Sequence, residues 1–368
     1  MAELFKNIYN KKFINDYSSI LTKCINNFDA ISFSKAIFTP KWEQLELKER
    51  MRHITYALNS HIKGGFKNQV NVLLKSIAEM NSIGRKETSI EFMFLPDFIE
   101  VYGLQEYKVS IEALEIFTQY STSEFAIRPF IEEYPKQTIT QLIKWSQHEN
   151  HHVRRLSTEG SRPKLPWASS LRRFIENPEP VLPILQNLKD DESEYVRKSV
   201  ANHLNDISKS QPELALELAK DWFKGSKNMR WVVKHGLRTL LKQGDKRALT
   251  IFGFDDAKGL NIKGLTLKES EIYIGGDLYF SFEVKNTSNK ERNIRLEYKI
   301  AYVKANGSTS RKVFQISEFV LNGSKSKKFK KKQRFTDFST RKHYPGEHTI
   351  IIVVNGKDQL EKTFMVKS

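Results

Sequence analysis

Cysteine is nearly absent: Cys24 is the single one in 368 residues. That excludes an intrachain disulfide, a zinc site built on cysteines and an iron–sulfur cluster. Cys24 lies in an apolar helical pattern, where it reads as a small buried hydrophobe. Long apolar runs are missing as well. Nothing approaches the roughly 18 consecutive apolar residues that a spanning helix needs. The opening MAELFKNIYNKKF is charged and amphipathic, without the apolar core of a signal peptide. The expectation is an intracellular protein with no membrane partner. The three sequons at Asn286, Asn306 and Asn322 then read as turn chemistry. Common enzyme signatures are also lacking: no GxxxxGK[ST], no HExxH, no GxSxG, and no GxGxxG after a strand. His151 and His152 are adjacent, so they cannot share a helix face as metal ligands. Neither a metal nor another cofactor is expected.

Acidic residues are outnumbered, 43 against 60 Lys and Arg, which leaves a net charge of +17. Such an excess favours a polyanionic partner, either nucleic acid or an anionic surface, although a simple solubility charge would look the same. The length exceeds what one compact core usually holds, so two domains are expected, 1–255 and 256–368.

The first 255 residues read as helices. In 108–120 (KVSIEALEIFTQY), Val109, Ala113, Leu114, Ile116 and Phe117 form an apolar stripe at three- and four-residue spacing. Segments 47–58, 70–80, 138–146, 195–207 and 229–241 repeat the pattern. Related elements recur as Phe125-Ala-Ile-Arg128, His152-Val-Arg154-Arg155 and Tyr195-Val-Arg197-Lys198. Val153 and Val196 lie 43 residues apart, a spacing that fits HEAT-type helical repeats. Stacked repeats form a solenoid. The Val-Arg element would line one face with cations, a cradle for a duplex backbone. From about residue 256, β-branched and aromatic residues alternate with polar ones. Turns at Gly275-Gly276, Asn306-Gly307, Asn322-Gly323 and Asn355-Gly356 punctuate them. About seven short strands in this span predict an immunoglobulin-like sandwich. Its run Lys325, Lys327, Lys328, Lys330, Lys331, Lys332 and Arg334 is either a strand edge guarded by lysines or a phosphate-contacting surface.

The segment 151–170, HHVRRLSTEGSRPKLPWASS, begins as a repeat helix and then breaks at Gly160, Pro163 and Pro166. Arg154, Arg155, Arg162 and Lys164 surround a lone acid, Glu159, and Trp167 follows. Taken alone, Glu159 fits a structural ion pair and Trp167 fits core packing. The string HHVRRLSTEGSRPKLPW resembles the AlkC family of alkylpurine DNA glycosylases, relatives of the AlkD HEAT-like glycosylases. FLPDFIEVYGL (94–104), SIEALEIFTQYSTSEFAIRPFI (110–131) and RWVVKHGLRTLLKQGD (230–245) support the resemblance.

The resemblance implies an α + β multidomain chain: a HEAT-like solenoid gripping double-stranded DNA, followed by an immunoglobulin-like domain that closes on it. It implies hydrolysis of the N-glycosidic bond of cationic bases such as 3-methyladenine and 3-methylcytosine, with the nucleotide largely stacked and the strand uncut. By position, Glu159 and Glu124 match the acidic site residues, Trp167 the closing aromatic, and Arg155 and Arg162 the basic positions. The expected DNA contacts are Arg128, Arg154, Arg155, Arg162, Lys164, Arg197, Lys198 and Lys234, with Lys328 and Lys330 from the sandwich. The protein is expected to act as a monomer in the cytoplasm, on the nucleoid when bound. Three other readings remain: a noncatalytic HEAT-repeat scaffold or DNA-binding protein, a basic protein at an anionic membrane, and an oxidative demethylase. The last would require an iron site, for which no suitable HxD exists.

Overall fold

The computed structural model describes residues 4–84, 89–338 and 341–368. By internal contacts it divides into two compact units. One comprises Met1–Gln211 with Gly225–Gly236, the other Pro212–Lys224 with Leu237–Ser368.

The first unit is helical. Its helices start where short polar side chains satisfy free backbone donors. Asn10 Oδ1 accepts from Phe13 N ahead of the Lys11–Cys24 helix. Asn150 does the same for His152 N at 2.8 Å, opening His151–Gly160. Cys24, expected to be buried, is only half-buried because it ends its helix. The helices His151–Gly160, Glu194–Ser208 and Lys227–Gly236 carry the related motifs and pack side by side in that order. Their equivalent residues Val153, Val196 and Val232 are fully buried, which is how one sequence element comes to be reused. The pattern over 229–241 predicts one helix, but the chain breaks it after Gly236. A Cβ there would sit 2.6 Å from Leu204 Cδ2, so glycine lets the neighbouring helix approach. Arg238–Gln243 then forms a separate helix.

In the second unit, the helices Pro212–Trp222, Arg238–Gln243 and Lys246–Ile251 accompany a β-sandwich. Its strands are β1 (Leu260–Leu267), β2 (Glu271–Tyr273), β3 (Asp277–Asn286), β4 (Arg292–Val303), β5 (Thr309–Leu321), β6 (Ser326–Arg334), β7 (Gly346–Val354) and β8 (Lys357–Lys367). One sheet runs β1-β3-β6, the other β2-β8-β7-β4-β5. Alternate residues of β3, Leu278, Phe280, Phe282 and Val284, face Tyr298, Ile300, Ile350, Ile352 and Phe364 across the core. The short β2 raises the strand number to eight among the described residues. Helix gives way to strand between Ile251 and Leu260, but the compact units divide earlier than residue 255. The reason is the β7–β8 turn. Gly356 packs against Gly244 and Leu249, leaving no room for a Cβ, and Asn355 Nδ2 donates to Asp255 O at 2.8 Å. Two of the sequons are turn devices as expected. Asn286 and Asn306 each accept from the backbone N–H two residues on, at 3.0 and 3.2 Å.

Candidate active site

Glu159 lies near the end of the His151–Gly160 helix, and Glu124 lies in the turn before the Ile127–Glu133 helix. Gly160 allows these two elements to meet, since a Cβ would fall 2.5 Å from Ile127 Cγ2. Arg155 then bridges the acids. Its Nη1 is 2.7 Å from Glu124 Oε2 and its Nη2 is 3.8 Å from Glu159 Oε1. Arg162 Nη1 donates to Glu159 Oε1 at 2.6 Å, while its Nε donates to Asp206 Oδ2 at 2.9 Å. Thr122 Oγ1 completes the Glu124 side at 2.8 Å. Glu159 is only 5% exposed. A buried carboxylate of this kind is paired with guanidinium groups, and losing that partner would be costly. The effect on the arginines is reciprocal. Burial alone would pull the Arg155 and Arg162 guanidinium pKa values down. The fields of Glu124 and Glu159 on Arg155, and of Glu159 and Asp206 on Arg162, more than offset that and hold both above the ordinary value.

Glu159 Oε1 receives both contacts from arginine, and Oε2 makes no hydrogen bond among the described residues. The site is therefore a fixed carboxylate with one oxygen uncommitted among the described residues.

Trp167 lies on the loop that follows. Its φ is +65°, a left-handed conformation that costs a non-glycine residue about 1–3 kcal/mol. Its indole is 69% exposed, so core packing does not explain it. The loop is fixed from beneath by Arg128, whose Nη1 donates to Gly160 O and Arg162 O, both at 2.9 Å, and whose Nη2 donates to Ser169 O at 2.6 Å. Arg128 is 4% exposed, and burial pushes its pKa down to about 10. The sequence places Arg128 on DNA; the structure commits its terminal nitrogens to three carbonyls of the Trp167 loop.

The other expected cations divide into two groups. Arg154 Nη1 donates to His148 O and Glu149 O, and Arg197 Nη1 to Asp191 O and Glu192 O. Both bind the carbonyls five and six residues earlier, closing the turn ahead of their own helix. Arg154 is also paired with Asp191 at 2.7 Å. The shared Val-Arg motif is thus a turn clasp, not a row of free cations. The next residue along behaves differently. Arg155 enters the acid cluster, whereas Lys198 and Lys234, at the equivalent positions, are exposed. Lys198 has a solvent-exposed pair with Glu194 at 2.8 Å. Lys164 is half-buried, and Lys328 and Lys330 are exposed on β6.

Two residues of the cluster were not anticipated. Tyr195 lies under Arg155, its ring centroid 4.6 Å from the guanidinium carbon. Asp206 anchors Arg162. Its signal was a polar stripe, Ser199, His203 and Asp206 at helical spacing, all buried.

A helical unit holding a buried carboxylate–guanidinium cluster, joined to an immunoglobulin-like sandwich, defines a class of DNA alkylation repair protein. Residues 118–240 match the family described as DNA alkylation repair enzyme. Residues 261–368 match the C-terminal Ig-like domain of the uncharacterised protein YhaZ. The whole chain is similar to YhaZ of Bacillus subtilis, with 42% identity over 98% of this chain and 99% of the relative. It is also similar to the structure of Pseudomonas fluorescens alkylpurine DNA glycosylase AlkC bound to DNA containing an abasic-site analogue. There the TM-score is 0.94 at 34% identity, with 100% of both chains covered. The chain belongs to the AlkC-type alkylpurine DNA glycosylase family with a C-terminal immunoglobulin-like domain.

Proposed function

We propose that this protein is a monofunctional alkylbase DNA glycosylase. It acts on duplex DNA, releasing cationic bases such as 3-methyladenine and 3-methylcytosine without flipping the nucleotide. The observation that carries this reading is the pairing of Glu124 and Glu159 on one guanidinium, with an oxygen of Glu159 left uncommitted.

N-alkylation at these positions makes the base a cation, so it departs neutral once the glycosidic electron pair moves onto its ring nitrogen. No general acid is then required. The sugar left behind is oxocarbenium-like, and a fixed carboxylate stabilises it electrostatically. Water adds to C1′ and gives up one proton, either to a carboxylate of the site or to solvent. Glu159, with its free Oε2, is the residue assigned to both tasks, with Glu124 supporting. Arg155 and Arg162 hold the acids in place. Trp167 offers its π face to the sugar or the cationic base. No amine nucleophile is needed, so the strand stays uncut. We assign the array of stacked helices to a HEAT-like grip on the backbone through Lys198 and Lys234, and the sandwich to a clamp that includes Lys328 and Lys330.

The test is incubation with methylated duplex DNA and chromatography of the released bases. Wild-type protein is expected to release 3-methyladenine or 3-methylcytosine. Glu159→Gln should bind DNA as tightly while excision falls about 100-fold or more, the loss that follows removal of one electrostatic stabiliser. Undiminished release by that variant would reject the assignment.

A further inference from the structure

Trp167 presents a mechanical problem. Its indole is mostly in solvent, so packing does little to hold it, and its backbone is in a left-handed conformation that a tryptophan leaves readily when allowed. The position of the ring therefore depends on whatever fixes the backbone. Within the loop, Leu171 N donates to Pro163 O at 3.0 Å and Ala168 N to Leu165 O at 3.4 Å, the second bond being long. Arg128 holds residues on either side of Trp167, at Arg162 and Ser169. Neither binds the carbonyl of Trp167 itself.

That carbonyl accepts from Lys48 Nζ at 2.9 Å, across 119 residues of sequence. Lys48 comes from the first turn of the Leu47–His61 helix. Its ammonium is also 4.5 Å from the centre of the Phe125 ring. Phe125 directly follows Glu124. One cation thus touches both the residue next to the supporting acid and the backbone of the strained tryptophan. Lys48, Phe125, Arg128 and Trp167 together line a cleft of about 250 Å³.

We propose that Lys48 is a positioning residue for excision: it fixes the Trp167–Ala168 peptide, keeps Trp167 left-handed and sets the indole at a constant place in the cleft it shares with Phe125. The proposal rests on the glycosylase reading above. A charge-assisted bond to a carbonyl resists rotation of that peptide more than a neutral one would, and the Phe125 face keeps the ammonium in place. A lysine that simply met a DNA phosphate would leave the loop unaffected.

The two roles separate in a double-mutant cycle. Lys48→Met keeps the length and the cover over Phe125 but removes the donor. Single-turnover excision should slow about tenfold, as for a misplaced group, while affinity for abasic-site duplex stays within about twofold. In a Trp167→Ala background the same substitution should cost nothing further, and Lys48→Arg should restore most of the rate. Equal losses in both backgrounds, or no loss in the single variant, would overturn the proposal. So would unchanged excision by Trp167→Ala. A readout independent of activity accompanies these. Amide hydrogen exchange at Ala168 and Leu171 should accelerate in Lys48→Met and return to the wild-type rate in Lys48→Arg. If the wild-type protein released no base at all, the glycosylase reading would fail. Exchange would still report whether Lys48 fixes the loop, and unaltered exchange would overturn that as well.

Discussion

Arg128 shows how far a residue's chemistry depends on where its nitrogens point. In sequence it is a cation in a basic protein, next to a helix start. In the fold it holds three carbonyls of the Trp167 loop, at Gly160, Arg162 and Ser169. The loop has few neighbours to replace those bonds. Arg128→Met should therefore lower unfolding free energy by about 2–4 kcal/mol, since buried acceptors are left without donors. Chemical denaturation would measure it. The salt dependence of DNA binding should not change, because Arg128 is buried and turned onto the loop carbonyls. A variant of normal stability with a shallower salt slope would return Arg128 to the DNA surface.

The same distinction governs the stacked helices. Arg154 and Arg197 close the turns before their helices, while Lys198 and Lys234 are exposed residues. Arg154→Ala and Arg197→Ala should destabilise the protein. Lys198→Ala and Lys234→Ala should each reduce the slope of log K against log salt by about one. Fluorescence anisotropy with a labelled duplex at several salt concentrations would separate the pairs, and the reverse pattern would restore the Val-Arg motif as the DNA-contacting row.

Much of this architecture was legible. The apolar stripes and the alternating strands each follow from a periodicity that separates helix from strand. Glu124, Glu159 and Trp167 became site candidates only through resemblance, because a lone acid among arginines also describes an ordinary ion pair. Lys48, Tyr195 and Asp206 were not singled out. Each acts on a partner far away in the chain, and sequence periodicity carries no information about partners across elements. The bounds of the compact units were not legible, for a related reason. Local pattern marks where helix becomes strand, but the Gly356–Gly244 approach is tertiary.

The Glu194–Ser208 helix also carries a pH dependence. His203 is fully buried, with Nδ1 3.1 Å from Thr158 O. Burial is the main cause that lowers its pKa from the ordinary 6.5 to about 4. The native state therefore stays neutral where the unfolded chain takes up a proton. Stability from this group is complete above pH 6.5 and is lost as pH falls from 6.5 towards 4, by up to about 3 kcal/mol. Thermal unfolding followed across that range should show a falling Tm, and His203→Gln should flatten the fall. An equally steep fall in the variant would place the cause elsewhere.

At the scale of the whole molecule, the question is what the sandwich contributes to a chain of net charge +17. Deleting everything after residue 255 is the obvious experiment, but it confounds two effects. The helices Arg238–Gln243 and Lys246–Ile251 belong to the same compact unit as the strands, and Gly244 and Leu249 pack on the β7–β8 turn. Truncation would strip those helices of their cover, so lost excision would follow from lost folding alone. Charge removal on β6 avoids this. Among the described residues β6 is an edge strand paired with β3 alone, and its Lys328 and Lys330 are exposed. Lys328→Gln with Lys330→Gln keeps the edge polar and should leave Tm within a few degrees of wild type. If the sandwich clamps DNA through this strand, the salt slope of binding should fall by about two, one for each phosphate no longer neutralised, and excision at moderate salt should drop with it. If the lysines serve only to keep a strand edge from pairing with another copy, the slope and the rate will stay as they are. The variant will instead show concentration-dependent aggregation by light scattering.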